Sequence, residues 1–250
     1  MSLSDEELER YARHIVLREI GGAGQVRLKG ARVLVIGAGG IGSPAIQYLA
    51  AAGVGQLMIV DDDRVDLSNL QRQTIFTEAD RGRAKVNIAV RAVQSLNPHV
   101  HVVGRQHRLG LDNASDLIEN FDVVLDGTDN FATRMIVADT AHRLRVPLVS
   151  AAVGEFEGQL GVYRGWEANK PCYRCFVGHD PEREGVSCAE QGVLGALAGV
   201  MGSLAALEAI RIIVPFGEDS AGKLLLVDAL NLRFRTLNLP KDPGCPSCAA

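Results

Sequence analysis

The sequence predicts an α/β fold in which a mostly parallel sheet, with helices on both faces, is extended by antiparallel strands. Three observations support this prediction. Short apolar runs rich in β-branched residues alternate with helical patterns over the first 150 residues, as in the units that build parallel sheets. A glycine-rich turn joins the first apolar run to the helix that follows it. After residue 151 the alternation changes, and strand-like runs flank one long apolar helix.

The glycine-rich turn lies in the stretch from Arg32 to Asp61. The run RVLVIG is too short for a helix and predicts a buried strand. The glycines after it have the spacing Gly-x-Gly-x-x-Gly, which lets a backbone approach a phosphate closely; they are Gly37, Gly39, Gly40 and Gly42. A helix over about 43–52 and the strand LMIV lead to Asp61, near the ~20-residue distance expected for a carboxylate that binds ribose. This Rossmann-like order predicts an adenine-nucleotide site. It leaves NAD, FAD and ATP open, and the alternative is a tight turn without a ligand.

The remaining elements are predicted in chain order. Ser4 and Glu7 have the spacing of a capping box, so a helix is expected to begin at Asp5 and to continue until Gly21 and Gly22 interrupt its pattern. Further helices are predicted over 84–96 and 131–144, and further parallel strands over 100–103, 122–127 and 146–151. The antiparallel additions are predicted over 159–163, 223–227 and 234–239, beside a long helix over 191–214.

The connector 63–84 is long and polar, and loops of this length in compact domains are often functional. Its segment 68–72, SNLQR, offers amide and guanidinium donors. Arg81, Arg83 and Lys85 cluster where the next helix begins, although the helix dipole disfavours positive charge there. Either an anion binds at this point or the turn is a solvated basic one.

Asp129 follows the strand predicted over 122–127. Ligands of open α/β sheets gather at the carboxyl ends of strands, so Asp129 is placed like Asp61. The alternative is that Asp129 caps the helix that begins directly after it.

Four of the five cysteines form two Cys-x-x-Cys pairs, Cys172 with Cys175 and Cys245 with Cys248. Four thiolates in paired turns are typical of a structural Zn²⁺ site, which would tie the C-terminal tail to the domain. Independent redox pairs and an iron–sulfur site are the alternatives. Cys188 lies in a polar segment before the long helix, where it is either a nucleophile with a depressed pKa or a passive thiol.

Composition favours a globular protein without a nucleic-acid or membrane partner. Hydrophobic residues make up 47 % of the 250 residues, enough for a large core, and the net charge of −4 disfavours binding of nucleic acid by charge. The uncharged run over 191–207 is rich in Gly and Ala, and a buried helix is the better interpretation than a membrane span. The N-terminal residues are charged and predict no signal peptide, so a cytoplasmic location is expected.

Together these motifs resemble the MoeB/ThiF family, the bacterial relatives of ubiquitin-activating enzymes. The resemblance covers essentially the whole chain, and it is carried by the glycine turn, Asp61, SNLQRQ at 68–73, Lys85, TDN at 128–130 and both cysteine pairs. It implies one adenylation domain over 1–250, in which 1–30 contributes to a homodimer, 30–150 binds the nucleotide, and 151–250 binds a carrier and zinc. It also implies adenylation of the C-terminal Gly-Gly carboxylate of a ubiquitin-like sulfur-carrier protein with Mg-ATP.

The resemblance assigns roles to individual positions. Asp61 would hold the ribose, Asp129 would bind Mg²⁺, and Arg13 would reach the neighbouring subunit's site. The triphosphate would be held by Asn69, Arg72 and Lys85. The other expected nucleotide-site residues are Gly37, Gly39, Gly40, Gly42, Asp63, Ser68, Thr128 and Asn130. Cys188 matches the family's conjugating cysteine, whose need varies between branches.

Three other functions remain open from the sequence. A nicotinamide-dependent enzyme would share the glycine turn but would explain neither the basic cluster nor the cysteine pairs. A family relative could activate another carboxylate, such as one on a modified tRNA, or a scaffold could bind the carrier without turnover. The motifs do not separate a molybdopterin carrier from a thiazole carrier. No rhodanese domain follows, so a separate sulfurtransferase or cysteine desulfurase is expected to supply sulfur.

Overall fold

The computed structural model describes residues 2–178 and 192–249. Within them the helices are α1 Asp5–Arg10, α2 Ala12–Ile15, α3 Gly21–Gly30, α4 Gly42–Ala51, α5 Lys85–Leu96, α6 Ala114–Ile118, α7 Phe131–Leu144, α8 Tyr173–Val177 and α9 Gly195–Ile213. The strands are β1 Arg32–Ile36, β2 Gln56–Val60, β3 His101–Arg105, β4 Val123–Asp126, β5 Leu148–Gly154, β6 Glu157–Tyr163, β7 Lys223–Asp228 and β8 Arg233–Asn238. Short 3₁₀ turns at Leu67–Asn69 and Glu78–Asp80 interrupt the connector 63–84.

The described strands form a single eight-stranded sheet in the order β3-β2-β1-β4-β5-β6-β7-β8. The strands from β3 to β5 in this order are parallel, and β6, β7 and β8 continue the sheet as antiparallel neighbours. The predicted fold class is therefore confirmed. The chain order of the parallel strands reverses between β1 and β4, and the crevice at such a reversal is where open α/β sheets bind ligands.

Apolar side chains cover both faces of the parallel strands. On one face Val33, Val35 and Leu57 pack with residues of α4, α5 and α9. On the other face Leu34 and Val124 pack with residues of α6 and α7. Because both faces are covered, β1 is apolar and buried from Val33 to Ile36, and β4 is apolar from Val123 to Leu125 and ends in the buried Asp126.

Helix α9 is long and apolar enough, with a mean hydropathy of 1.7, to cross a membrane by length and composition. In this fold, however, it packs on α4 and on β4, β5 and β6. Leu197, Met201 and Ala205 on its inner side are buried in the core. A Cβ on Gly202 would overlap the Ile41 carbonyl oxygen, so the two helices approach closely at this point. The packing is that of a core helix, as the abundance of Gly and Ala indicates.

The N-terminal segment differs from the prediction. The Ser4 capping box is present, with the Glu7 N–H donating to Ser4 Oγ at 3.2 Å. The helix nevertheless ends at Arg10, and Gly21 and Gly22 begin α3 instead of interrupting a helix. The reason is tertiary: a Cβ on Gly24 would lie 2.8 Å from Val214, so this glycine-rich helix packs close to the end of α9.

Candidate active site

The glycine turn forms the floor of the crevice between β1 and β4. The Gly37 N–H donates to the Val60 carbonyl at 2.8 Å, and the Gly127 N–H donates to the Ile36 carbonyl at 3.0 Å. Gly37 has φ +88°, and a Cβ on Gly42 would overlap the Gly37 carbonyl oxygen. These two positions therefore require glycine, because one has a left-handed backbone and the other lies against the turn.

A cavity of about 660 Å³ opens above this turn. Its volume lies within the range of roughly 300–1,000 Å³ typical of small-molecule sites. Ten of the residues expected at the nucleotide site line it: Gly37, Gly39, Gly40, Asp61, Asp63, Arg72, Lys85, Thr128, Asp129 and Asn130. Residues from five separate stretches of the chain therefore meet at one edge of the sheet.

Asp61 is held by the backbone around the turn. Its Oδ2 accepts the Ala38 N–H at 2.7 Å, and its Oδ1 accepts the Asp63 N–H at 2.9 Å. Burial raises the pKa of Asp61, while the Lys85 charge and these two N–H donors act in the opposite direction. A carboxylate oxygen has two acceptor positions, so each oxygen can still accept a ribose hydroxyl.

Lys85 lies at the first position of α5 and is paired with Asp63. Its Nζ is 2.8 Å from Asp63 Oδ2, and its side chain is 5 % exposed whereas that of Asp63 is 66 % exposed. Arg81 and Arg83 do not line the cavity; they pair with Glu78 at 2.9 Å and Asp80 at 3.5 Å. Of the basic cluster, only Lys85 is placed for an anion in the cavity, and the other two belong to a basic surface turn.

Arg72 reaches the cavity from the connector 63–84. Its Nη1 donates to the Ser68 carbonyl at 3.0 Å, and a Cβ on Gly40 would lie 3.3 Å from its Cγ. Ser68 and Asn69 do not line the cavity, because Asn69 Oδ1 accepts the Asp66 N–H at 3.0 Å within the local turn. Gly42 shapes the turn without lining the cavity. The nucleotide roles of Ser68, Asn69 and Gly42 stay predictions.

Asp129 faces the cavity beside the glycine turn. The α7 cap is Asn130, whose Oδ1 accepts the Thr133 N–H at 3.0 Å. The capping alternative for Asp129 is therefore wrong. Within the described residues no hydrogen bond or ion pair of the Asp129 carboxylate is recorded, so its oxygens are available for an incoming group.

The four paired cysteines form one cluster, which lies outside the cavity. Their Sγ atoms lie 3.8 Å apart for Cys172 and Cys175, 3.5 Å for Cys172 and Cys245, and 3.3 Å for Cys175 and Cys248. A tetrahedral Zn²⁺ with ~2.3 Å bonds separates its sulfur ligands by about 3.8 Å. Burial raises the pKa of the Cys172 thiol, as expected of a site whose thiolates require a cation. The sulfur atoms of the two pairs approach each other as closely as the sulfur atoms within a pair, so the geometry fits a single metal ion and favours it over independent redox pairs.

Two expected catalytic residues are not placed at the cavity. Arg13 lies on α2, is exposed, and does not line the cavity of its own chain. Cys188 lies outside the described residues. Their roles stay predictions.

The comparison with protein families decides the classification. A model described as "ThiF family" matches residues 11–247. The chain belongs to the ThiF family. The match includes Arg13, the glycine turn, Cys172, Cys175 and Cys245.

Curated ThiF relatives match over nearly the whole chain. The sulfur carrier protein adenylyltransferase of Thermus thermophilus is 45 % identical, covering 99 % of this chain and 93 % of that protein. The SAMP-activating enzyme E1 of Haloferax volcanii is 43 % identical, covering 99 % and 91 %. The molybdopterin-synthase adenylyltransferase of Salmonella typhimurium is 44 % identical, covering 98 % of each chain.

Solved structures show the same fold at lower identity. E. coli MccB with ATP has a TM-score of 0.80 at 23 % identity, covering 99 % of this chain and 76 % of that one. E. coli MccB with selenomethionine MccA has a TM-score of 0.85 at 23 % identity with the same coverage. At this identity the likeness supports the fold.

The cavity also contains residues that the sequence did not single out, among them Gln73, His107, Arg108 and Arg134. Gln73 is buried, and its Oε1 has no hydrogen-bond partner among the described residues. Gln73 is the last residue of the SNLQRQ motif, so the sequence did contain an indication that it belongs to the site. Arg134 had no such signal, because its position depends on contacts between distant segments.

Proposed function

We propose that this ThiF protein uses Mg-ATP to adenylate the C-terminal Gly-Gly carboxylate of a ubiquitin-like sulfur carrier, with release of pyrophosphate. The observation that carries the proposal is the cavity at the β1–β4 crevice. It combines a ribose-type carboxylate, Asp61, with two cations, Arg72 and Lys85, and a second carboxylate, Asp129. The names of the curated relatives support adenylyl transfer to a sulfur carrier.

The chemistry is mainly a problem of charge. The nucleophile is a carboxylate that is already ionised at neutral pH, so no general base is required. It must approach a polyphosphate of the same sign, and fixed positive groups must offset this repulsion. Arg72 from the connector and Lys85 from the N-terminus of α5 are the predicted cations among those that line the cavity, which also include Arg108 and Arg134.

Asp129 is the expected ligand of Mg²⁺. Carboxylate oxygen is the ligand type that Mg²⁺ prefers, and among the described residues this carboxylate has no recorded competing cation. The ion would supply positive charge near the phosphate that is attacked. Asp61 and Lys85 hold the nucleotide on the other side of the glycine turn.

A second cavity supports binding of a protein carrier. It has a volume of about 710 Å³ and follows β5, β6, β7 and β8. Ala152 and Val153 line both this cavity and the nucleotide cavity, so the two are adjacent along β5. Every residue of β8 is exposed, including Phe234 and Leu237. The β8 residues that line the second cavity are Arg233 and Arg235, while Phe234 and Leu237 are exposed elsewhere on the same strand. An exposed strand beside this mixed polar and apolar cavity suits a carrier whose C-terminal tail extends along β5, which supports the proposal that 151–250 binds the carrier.

The remaining expectations belong to the same proposal. The segment 1–30 contributes to a homodimer in which Arg13 reaches the partner's cavity, and the exposed Val16 and Leu17 on this segment suit such a contact. A separate sulfurtransferase or cysteine desulfurase supplies sulfur after adenylation. Zn²⁺ at the cysteine cluster is structural, and the protein acts in the cytoplasm.

The test is carrier-dependent exchange of pyrophosphate into ATP. Asp129→Ala and Arg72→Ala should each reduce exchange by about a hundredfold or more, since electrostatic groups at a transition state carry effects of this size. Arg81→Ala is the matched control, because Arg81 lies on the same connector but outside the cavity. Undiminished exchange in Asp129→Ala, or no exchange by the wild type with any Gly-Gly carrier, contradicts the proposed function.

A further inference from the structure

An ion pair is buried next to the loop that carries Asp129. Asp126, the last residue of β4, has a side chain that is 0 % exposed, and its Oδ2 lies 3.5 Å from Nε of Arg134 on α7. The same oxygen accepts a hydrogen bond from the Ser150 hydroxyl on β5 at 3.2 Å. Asp126 and Ser150 do not line the nucleotide cavity, so they can influence a ligand there only through the residues that they hold.

The ion pair binds all three polar groups of Thr128. Asp126 Oδ1 accepts the Thr128 N–H at 3.0 Å and the Thr128 hydroxyl at 2.7 Å. Arg134 Nη2 donates to the Thr128 carbonyl and, at 3.4 Å, to the Ala151 carbonyl on β5. Thr128 is therefore fixed by its amide, its hydroxyl and its carbonyl at once, and Arg134 is itself bonded to the neighbouring strand.

Asp129 lies between two residues that are both fixed. On one side is Thr128, which is held by the ion pair. On the other side is Asn130, whose Oδ1 accepts the Thr133 N–H at 3.0 Å and whose carbonyl accepts the Arg134 N–H at 3.0 Å. The side chain and the backbone of Arg134 thus contact the residues before and after Asp129. The direction in which Asp129 leaves the backbone follows from these contacts, since no hydrogen bond or ion pair of its own carboxylate is recorded among the described residues.

Stability alone does not explain this ion pair. Removal of two charges from water costs free energy that their mutual attraction offsets only in part, so a buried ion pair adds little stability compared with apolar side chains of the same volume. An apolar pair at the positions of Asp126 and Arg134 could fill the same space between β4 and α7, but it would form no hydrogen bond with Thr128. What the ion pair adds is direction, because it provides an acceptor for two donors of Thr128 and a donor for its carbonyl.

We propose that Asp126 and Arg134 are positioning residues that orient Asp129 toward Mg²⁺. The inference rests on the proposed function, since it takes Asp129 as the Mg²⁺ ligand and adds the residues that hold it in place. Mg²⁺ requires near-ideal octahedral geometry with bonds of about 2.1 Å, so a small rotation of the loop at Thr128 moves the carboxylate away from the ion. A loop that is already fixed also loses less conformational entropy when the ion binds.

Asp126→Asn tests this inference, because it keeps the size of the side chain and removes the charge that holds Arg134. Asp126 is the better choice of the two, since Arg134 lines the cavity and a variant there could act by direct contact. The Mg²⁺ concentration for half-maximal ATP binding should rise about tenfold, the factor that corresponds to one hydrogen bond to a charged group. ATP binding in EDTA should stay within about twofold of the wild type, as for sites that share no partners. An unchanged Mg²⁺ requirement, or an equal weakening of both kinds of binding, overturns the inference.

Ser150→Ala provides a second test, which decides if Asp126→Asn does not fold. It removes the hydroxyl that donates to Asp126 and leaves the ion pair in place. The Mg²⁺ requirement should rise about threefold, as expected for the loss of one of several donors. Thr140→Val is the matched control, because Thr140 is 5 % exposed, like Ser150, and lies on α7 outside the cavity. If Ser150→Ala needs no more Mg²⁺ than Thr140→Val, the inference is overturned.

Asp129→Ala separates a failure of this inference from a failure of the proposed function. The variant should lose the Mg²⁺ dependence of ATP binding, because its carboxylate ligand is gone. If Asp129→Ala responds to Mg²⁺ as the wild type does, or if the wild type does not bind Mg-ATP, the proposed function is contradicted. If Asp129→Ala loses the response while Asp126→Asn keeps the wild-type Mg²⁺ requirement, only the positioning inference is wrong.

Discussion

Strands β1 and β8 belong to one sheet but differ in burial. From Val33 to Ile36, β1 is buried on both faces, whereas every residue of β8 is exposed. The buried strand can contact a ligand only at its carboxyl end, where Gly37 lines the nucleotide cavity. The exposed strand can contact another molecule along its whole length. The parallel half of the sheet therefore carries a cavity at its edge, and the antiparallel half offers an exposed surface, which the proposed function uses for docking of the carrier.

Substitution of one cysteine should cause the largest loss of stability. The loss should arise in the C-terminal part of the chain, which carries the antiparallel strands. Cys245→Ser leaves a buried cluster with three thiols, so metal and the C-terminal anchor are lost together. We expect zinc content to fall well below that of the wild type and the free energy of unfolding to fall by about 4 kcal/mol or more. Metal analysis and urea unfolding provide the measurements. Full zinc content in Cys245→Ser would exclude this cysteine as a ligand.

A methyl group at the glycine turn should disrupt the cavity of the parallel half. In Gly42→Ala the new Cβ overlaps the Gly37 carbonyl oxygen, so the turn must shift. We expect a loss of about 3 kcal/mol and no measurable ATP binding, while zinc stays bound. Gly199→Ala on α9 is the control, because a Cβ there meets nothing within 4 Å and should be neutral or slightly stabilising. Normal ATP binding by Gly42→Ala would show that the turn is not the phosphate site.

Removal of an aromatic side chain from the exposed strand β8 should weaken carrier binding without changing nucleotide binding. Phe234→Ala removes an aromatic group that is 53 % exposed on β8. We expect carrier affinity to fall about tenfold, as for an anchor at an interface, with ATP affinity and stability unchanged. Tyr48→Ala on α4 removes an aromatic group of similar exposure and should leave carrier affinity intact. Equal carrier affinity for Phe234→Ala and wild type would show that β8 is not the docking surface.

The smallest effect is expected at the connector 63–84. The Thr77 hydroxyl lowers the pKa of Asp80, with further help from the Thr77 N–H and Arg91. A lowered pKa means that the ionised carboxylate stabilises the fold at pH values above about 3.9, its ordinary unfolded value, and that this contribution is lost in acid.

Asp80→Asn should therefore reduce stability by about 1 kcal/mol at pH 7, and the difference from the wild type should shrink as the pH falls below about 4. Thermal unfolding across this pH range provides the measurement. Glu78→Gln, which affects only the exposed pair with Arg81, should change stability by less than about 0.5 kcal/mol at every pH. A constant difference for Asp80→Asn down to pH 3 would contradict the assignment.

What the sequence predicted well depends on local pattern. Helix α7 begins and ends at the predicted residues because Asn130 supplies its cap and the core pattern continues up to Leu144. The glycine turn and Asp61 were recognisable because the strand, turn, helix and strand follow directly along the chain. The antiparallel strands were predicted within two residues for the same reason.

What the sequence missed depends on contacts between distant segments. Helix α3 begins at glycines that usually interrupt a helix, and it packs against the end of α9 through Gly24. The pair between Arg134 and Asp126 joins α7 to the end of β4 in a way that no local pattern indicates. Likewise, no spacing rule indicates that Asn69 caps its own turn rather than facing the cavity.

The pair between Lys85 and Asp63 also bears on which anions the cavity favours. An arriving anion gains only the difference between its own attraction for the ammonium group and that of the aspartate already bound to it. A small anion that contacts only Lys85 therefore gains little from this interaction. A polyphosphate that also reaches Arg72 would gain more, so the pair favours ligands with several anionic groups.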